Sequence, residues 1–303
     1  MTALAAGEVA LSRKVSLAVG QVARTACARG VLRTGVDEET SELLAVSVLA
    51  ERVGWAAGLV TEMVTELLAD RWKPGDVDVL AGGEDVGGRK LPSNAWMALR
   101  RLGWSARPPE GVRVNDRIVR MAQEQAGRLL RSAKWRADLT TGVLKVWPAD
   151  PGRRTPEEWD RVREAVPGGQ HLASSVITSR TRQIVAFVRK HGRMPAGLFE
   201  MEAAPTAARL LLLSACDGQQ ATIERHDTEP GRALLRVQLP TRADPRSYRD
   251  WTWVSCPITL PATVPAGAVL HLPTLRPHRA HRRARCGLGP EHPPQRGRHP
   301  APR

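Results

Sequence analysis

The chain has 303 residues, 42% of them apolar, which is enough for one large domain or two ordinary ones with a sizeable core. Its net charge is +14, with 39 Arg against 6 Lys, an excess suited to a polyanion such as nucleic acid. Four cysteines (Cys27, Cys216, Cys256 and Cys286) form no CxxC and lie near no His pair, which argues against a zinc site or a disulfide framework and suits a reducing cytosol. The longest apolar stretches, 43–50 and 210–216, fall well short of the ~20 residues that span a bilayer, and residues 1–10 lack a basic-then-apolar leader. The expectation is therefore a cytoplasmic protein with no membrane partner.

Residues 9–29 are expected to be helical, with Gly30 as the stop. Asp37 is then expected to cap a long helix over 38–72. There Leu43, Val46, Leu49, Val53, Val60, Met63, Val64 and Leu67 recur at three- and four-residue steps. Lys73-Pro74-Gly75 ends it. Residues 76–93 read as a connector. Their Gly82-Gly83-Glu84-Asp85-Val86-Gly87-Gly88-Arg89-Lys90 puts Arg89 and two acids where a phosphate loop needs glycines leading into Lys.

A short helix over 94–102 stops at Gly103, and Asn115 caps a helix over 116–135. That helix carries Arg117, Arg120, Arg128, Arg131 and Lys134 around an apolar side, an arrangement able to track phosphates. Residues 144–147 suggest a strand. Thr155-Pro156-Glu157-Glu158 is a strong helix start. A further helix, from about 172 to 191 with Gly192 as its cap, carries Arg180, Arg182, Arg189 and Lys190.

After Pro205 the texture changes to short runs between turns: 221–225, 233–239, 251–260 and 268–272. Leu235-Arg236-Val237-Gln238-Leu239 alternates strictly, as a half-buried strand does. The expected fold is thus α+β. A helical region (1–204) precedes a small antiparallel β-barrel or sheet (205–276), and a disordered basic tail (277–303) follows. Tyr248, Trp251 and Trp253 sit in the β-rich part as candidate base-stacking groups, worth ~1–3 kcal/mol per base where they act, or else as core.

The tail holds seven Arg, six Pro and four His but one acid, and it lacks the apolar residues needed to offset its ordering entropy. Codons for residues 279–297 read one base forward permit Gly-His-Thr-Val-Ala-Leu-Gly-Val-Asp-Trp-Gly-Leu and then Asn-Thr-Leu-Leu-Ser-Ala-Gly; the string around the shifted Asp is Val-Ala-Leu-Gly-Val-Asp-Trp-Gly. That is a buried-strand pattern ending in one Asp, as a RuvC-like nuclease presents its first metal-binding carboxylate. The tail is accordingly expected to be out of frame, with Gly287 standing where the shifted frame has the Asp. A shifted frame that stays open past codon 276 is the matching expectation for the gene.

Together with residues 114–122, 248–254 and 268–275, this pattern resembles the TnpB (OrfB) family of transposon-encoded, RNA-guided nucleases. The resemblance implies a helical recognition region and a wedge-like β-barrel that hold guide RNA and target DNA. It also implies a Mg-dependent Asp-Glu-Asp nuclease domain and a zinc ribbon later in the chain. No catalytic carboxylate of that set, and no metal ligand, is present in this frame. The expected product binds RNA or DNA without cutting and takes no small-molecule substrate.

Two other classes stand beside this one. The first is a helical DNA-binding regulator with a basic arm, which needs two helices joined by a tight turn; the helices over 94–102 and 116–135 are too far apart. The second is an independent enzyme, but His171, His191, His226 and His271 have no metal spacing and no GxSxG occurs.

Overall fold

A computed structural model of the chain describes residues 7–14, 27–85, 87–215, 218–229, 231–265 and 268–277. Four strands come first: β1 (Gly7–Lys14), β2 (Cys27–Leu32), β3 (Gly35–Asp37) and β4 (Leu43–Leu44). The helices α1 (Val46–Arg71), α2 (Pro74–Gly82), α3 (Ala95–Arg101), α4 (Asp116–Lys145), α5 (Pro156–Ala165), α6 (Ser174–His191) and α7 (Leu198–Met201) follow. The chain then returns to strands β5 (Ala221–Arg225), β6 (Arg232–Pro240), β7 (Trp251–Thr259) and β8 (Val269–Pro277). The fold is α+β, with a helical region ahead of a small antiparallel sheet, as the change of texture at Pro205 implies. Among the described residues no helix is long and apolar enough to cross a membrane.

The main sheet has five antiparallel strands in the order β4-β3-β7-β6-β5, and it is open, not closed into a barrel. A second sheet runs β2-β1-β8. In β6 the alternation seen in the sequence is realised: Leu235, Val237 and Leu239 are buried while Leu234 is exposed. Because β3 pairs with β7 (Val36 opposite Ser255), strands from both sides of the helical region share one sheet. The apolar stripe of α1 (Leu49, Val53, Val60, Met63, Val64, Leu67) packs in one core with Leu235, Val237, Leu239, Val254 and Ile258. A second, smaller core of Leu139, Val143, Val162, Val166, Ile177 and Ile184 joins the far end of α4 to α5 and α6. At 30 residues α4 is about 45 Å long and serves both cores.

The helix starts that carry side-chain caps match the sequence closely. The Asn115 carboxamide oxygen accepts from the Arg117 and Ile118 amides, and Thr155 forms a capping box with Glu158. Gly192 ends α6 in the left-handed region (φ 71°).

Five local expectations are corrected. Within 9–29 the described segments are strands β1 and β2, not helix; residues 15–26 lie outside the described residues. The long helix begins at Val46 instead of Glu38, because β3 and β4 occupy 35–44 and Leu43 is 68% exposed. Asp37 is therefore not its cap; its carboxylate instead closes the β3–β4 turn and pairs with Arg52. Part of the expected connector is α2, which starts at Pro74, a residue suited to a first helical turn. The expected strand at 144–147 is the end of α4, which runs ten residues past Trp135 to Lys145 as its apolar face continues onto the second core. The tail beyond Pro277 lies outside the described residues.

Candidate nucleic-acid interface

The Asn115 cap anchors the start of α4 to the sheet. Its amide nitrogen donates to Gln220 Oε1 (2.9 Å) and Gln238 Oε1 (2.7 Å). The segment just before it carries Arg113, whose amide donates to the Pro245 carbonyl (2.6 Å) and whose carbonyl accepts from Trp251 Nε1 (2.9 Å). These bonds bring the turn 242–250 against residues 111–117.

Arginines gather round this junction. Arg100, Arg117 and Arg120 converge on the single carboxylate of Asp116. Arg120 also lies 4.5 Å from the Trp96 ring centroid. Arg113 donates to the Tyr248 hydroxyl (2.7 Å) and its guanidinium sits 4.5 Å from that ring. Arg242 and Arg246 flank Asp244, holding its carboxyl below the usual range, and the amides of Ser247 and Arg246 do the same for Asp250. Arg246 also approaches Gly111. With Arg249 this makes seven guanidiniums against four carboxylates (Glu110, Asp116, Asp244, Asp250), a local net of +3. Tyr248 is 58% exposed among them.

Of the residues expected from sequence to meet nucleic acid, Arg117, Arg120 and Tyr248 are brought together here. Trp251 is not available for stacking: it is buried and its indole nitrogen is bonded inward. Trp253 is half-buried on β7 with Arg236 at 5.2 Å. Further along α4 the cations are engaged within the fold. Arg128 pairs with Glu124, Arg131 donates to the Ser93 and Pro92 carbonyls, and Lys134 bridges Asp78 and Asp138, which hold its ammonium pKa above the usual value.

The α6 set is separate, since α6 meets α4 near Trp135, about 27 Å along the helix from Arg117. Arg180 is buried against Glu202 (2.5 Å), whereas Arg182, Arg189 and Lys190 are exposed with no partner among the described residues. Arg100, Arg113, Arg242, Arg246 and Arg249 are missing from the expected set. The signal was present as three arginines within eight residues around the chain's one tyrosine.

The glycine-rich run is closed on itself. Asp85 Oδ1 accepts from the Gly87 and Arg89 amides, both at 2.9 Å, so those donors are not free for a phosphate. The long connection between α3 and α4 is not a helix-turn-helix turn. Among the described residues, no three His, Cys, Asp or Glu side chains converge as a metal site requires. No protein-family model, curated protein or solved structure matches this chain.

Proposed function

We propose that this protein binds nucleic acid, through phosphate contacts from the arginines around residues 111–117 and 242–250, and that it is a TnpB-like, transposon-encoded protein holding guide RNA and DNA. The observation that carries the reading is that arginine cluster. Seven guanidiniums crowd round one helix start beside an exposed tyrosine, with fewer carboxylates than are needed to neutralise them. Planar, forked donors suit phosphate oxygens, and a solvent-facing ring offers a base a stacking partner. The family assignment rests on the sequence resemblance, and in that family Mg-dependent cleavage belongs to the later nuclease domain.

The test is fluorescence anisotropy with a labelled RNA hairpin and a DNA duplex of similar length. Binding is expected at low salt, weakening steeply as salt rises in proportion to the phosphates neutralised. The triple variant R113A/R246A/R249A is expected to lose at least about tenfold in affinity and to flatten the salt slope. No binding at low salt, or a triple variant that binds as tightly as the parent, would sink the reading. Incubation with Mg²⁺ is expected to leave both probes uncut.

A further inference from the structure

The flank of the molecule formed by α4, α6 and α7 carries a groove that the arginine cluster does not use. Two adjoining hollows of about 620 and 270 Å³ share Gln183 and run along α6 from Ser175 to His191. That length of helix is about 24 Å. The apolar lining is Trp135, Leu139, Val176, Phe187 and Met201, and Trp135 is 41% exposed although it stands in the middle of a long helix.

The groove's carboxylates are already neutralised. Glu202 takes both Arg136 and Arg180 (2.5 Å each), and Glu200 takes Arg193. Its cations are not. Lys190 on the lining, and Arg182 and Arg189 seven residues apart on the adjoining stripe of α6, have no partner among the described residues. An apolar trough with one unbalanced positive rim calls for an occupant with an apolar stripe and negative flanks.

We infer that this groove docks an acidic amphipathic helix of a partner protein, about four turns long. Its apolar residues at i, i+3, i+4 and i+7 would seat on Trp135, Phe187 and Met201, with its carboxylates facing Arg182, Arg189 and Lys190. An exposed tryptophan and a half-buried phenylalanine beside unpaired arginines have the composition of interface hot spots. The chain's own terminal segment has the wrong sign to fill the groove, holding seven Arg against one acid. The inference stands apart from nucleic-acid binding at the arginine cluster, and the experiment separates the two.

The probe is a fluorescein-labelled peptide of about 16 residues with leucines at helical spacing and glutamates on both flanks, titrated with the full chain. Saturable binding is expected, lost at least about tenfold in W135A and in the charge-reversed K190E/R182E, and weakened by salt. Q183E alters an exposed side chain at the junction of the hollows. It is expected to weaken the peptide by like charge while leaving the circular dichroism unchanged.

Equal binding of a scrambled peptide, no saturation, or W135A binding as well as the parent would overturn the inference. So would a single-stranded oligonucleotide whose affinity depends on Trp135 when that of the peptide does not, since the groove would then belong to nucleic acid. R113A/R246A/R249A is expected to leave peptide binding intact.

Discussion

Asp37 shows how far a single residue's role can move between sequence and structure. As an acid before an apolar run it resembles a helix cap, yet it lies nine residues short of α1 and is 1% exposed. Its carboxylate accepts from Arg52 (2.6 Å), from the Thr252 hydroxyl (3.0 Å) and from the amides of Glu39 and Thr40, so one side chain ties β3, α1 and β7 together. Burial pushes its pKa up, but the bonds from Arg52, Thr252 and the two amides outweigh that, and the net shift is downward. A lowered native pKa contributes stability that is fully present above the unfolded value near ~3.9 and is lost as the pH falls through the native one. D37N keeps the shape, removes the charge and leaves Arg52 unpaired. It is expected to cost about 3 kcal/mol at neutral pH. Urea midpoints across pH should show this gap narrowing below about pH 4; a gap unchanged into strong acid would mean the charge is not what matters.

At the scale of elements, the sequence was legible wherever a local interaction decides the structure. The Thr155 capping box, the Gly192 stop and the alternation of β6 are each complete within a few residues, and each was found where expected. The first strands pair locally, β1 with β2 and β3 with β4, but they were not legible because they also need remote partners: Gly7 pairs across to Pro277 and Val36 to Ser255. Nothing inside residues 9–29 announces that pairing. The candidate site divides in the same way. Tyr248 is conspicuous as the only tyrosine, but Arg113 joins it only because Pro245 and Trp251 bond to the Arg113 backbone.

Glycines test the element packing. In an open helix, Gly→Ala stabilises by up to about 1 kcal/mol. At Gly75 in α2 a new Cβ would meet nothing within 4 Å, so G75A is expected to stabilise by roughly that amount. At Gly142, where α4 crosses α5, a Cβ would press on the Ala165 carbonyl and come 2.9 Å from Val166 Cγ1. There overpacking outweighs propensity, and G142A is expected to lose about 1–2 kcal/mol. Thermal midpoints of opposite sign would support the α4–α5 contact; a stabilised G142A would contradict it.

For the whole molecule, the question is whether the change of texture at Pro205 separates two folding units. In the sequence, helical patterns dominate before that point and strand patterns after it. The core does not divide in the same way, since α1 contributes Leu49, Val53 and Val60 to the cluster that holds Leu235, Val237, Val254 and Ile258. The edge of the main sheet is likewise built by β3 and β4 from the start of the chain. A fragment ending at residue 204 would leave the part of the α1 stripe that packs on β6 and β8 facing water, and one beginning at 205 would expose the β7 edge where β3 pairs. An uncovered stripe loses roughly 25 cal/mol for each Å² of apolar surface, and an open strand edge invites association with other chains. Neither fragment is therefore expected to give the sharp near-ultraviolet dichroism of packed tryptophans alone, while co-expression of the two should restore it. The second core of Leu139, Val162, Ile177 and Ile184 lies wholly within the first fragment, so residual helix there is compatible with this outcome. Two fragments that each fold independently, with their own cooperative unfolding transitions, would show that the shared core contributes little and that Pro205 is a true boundary.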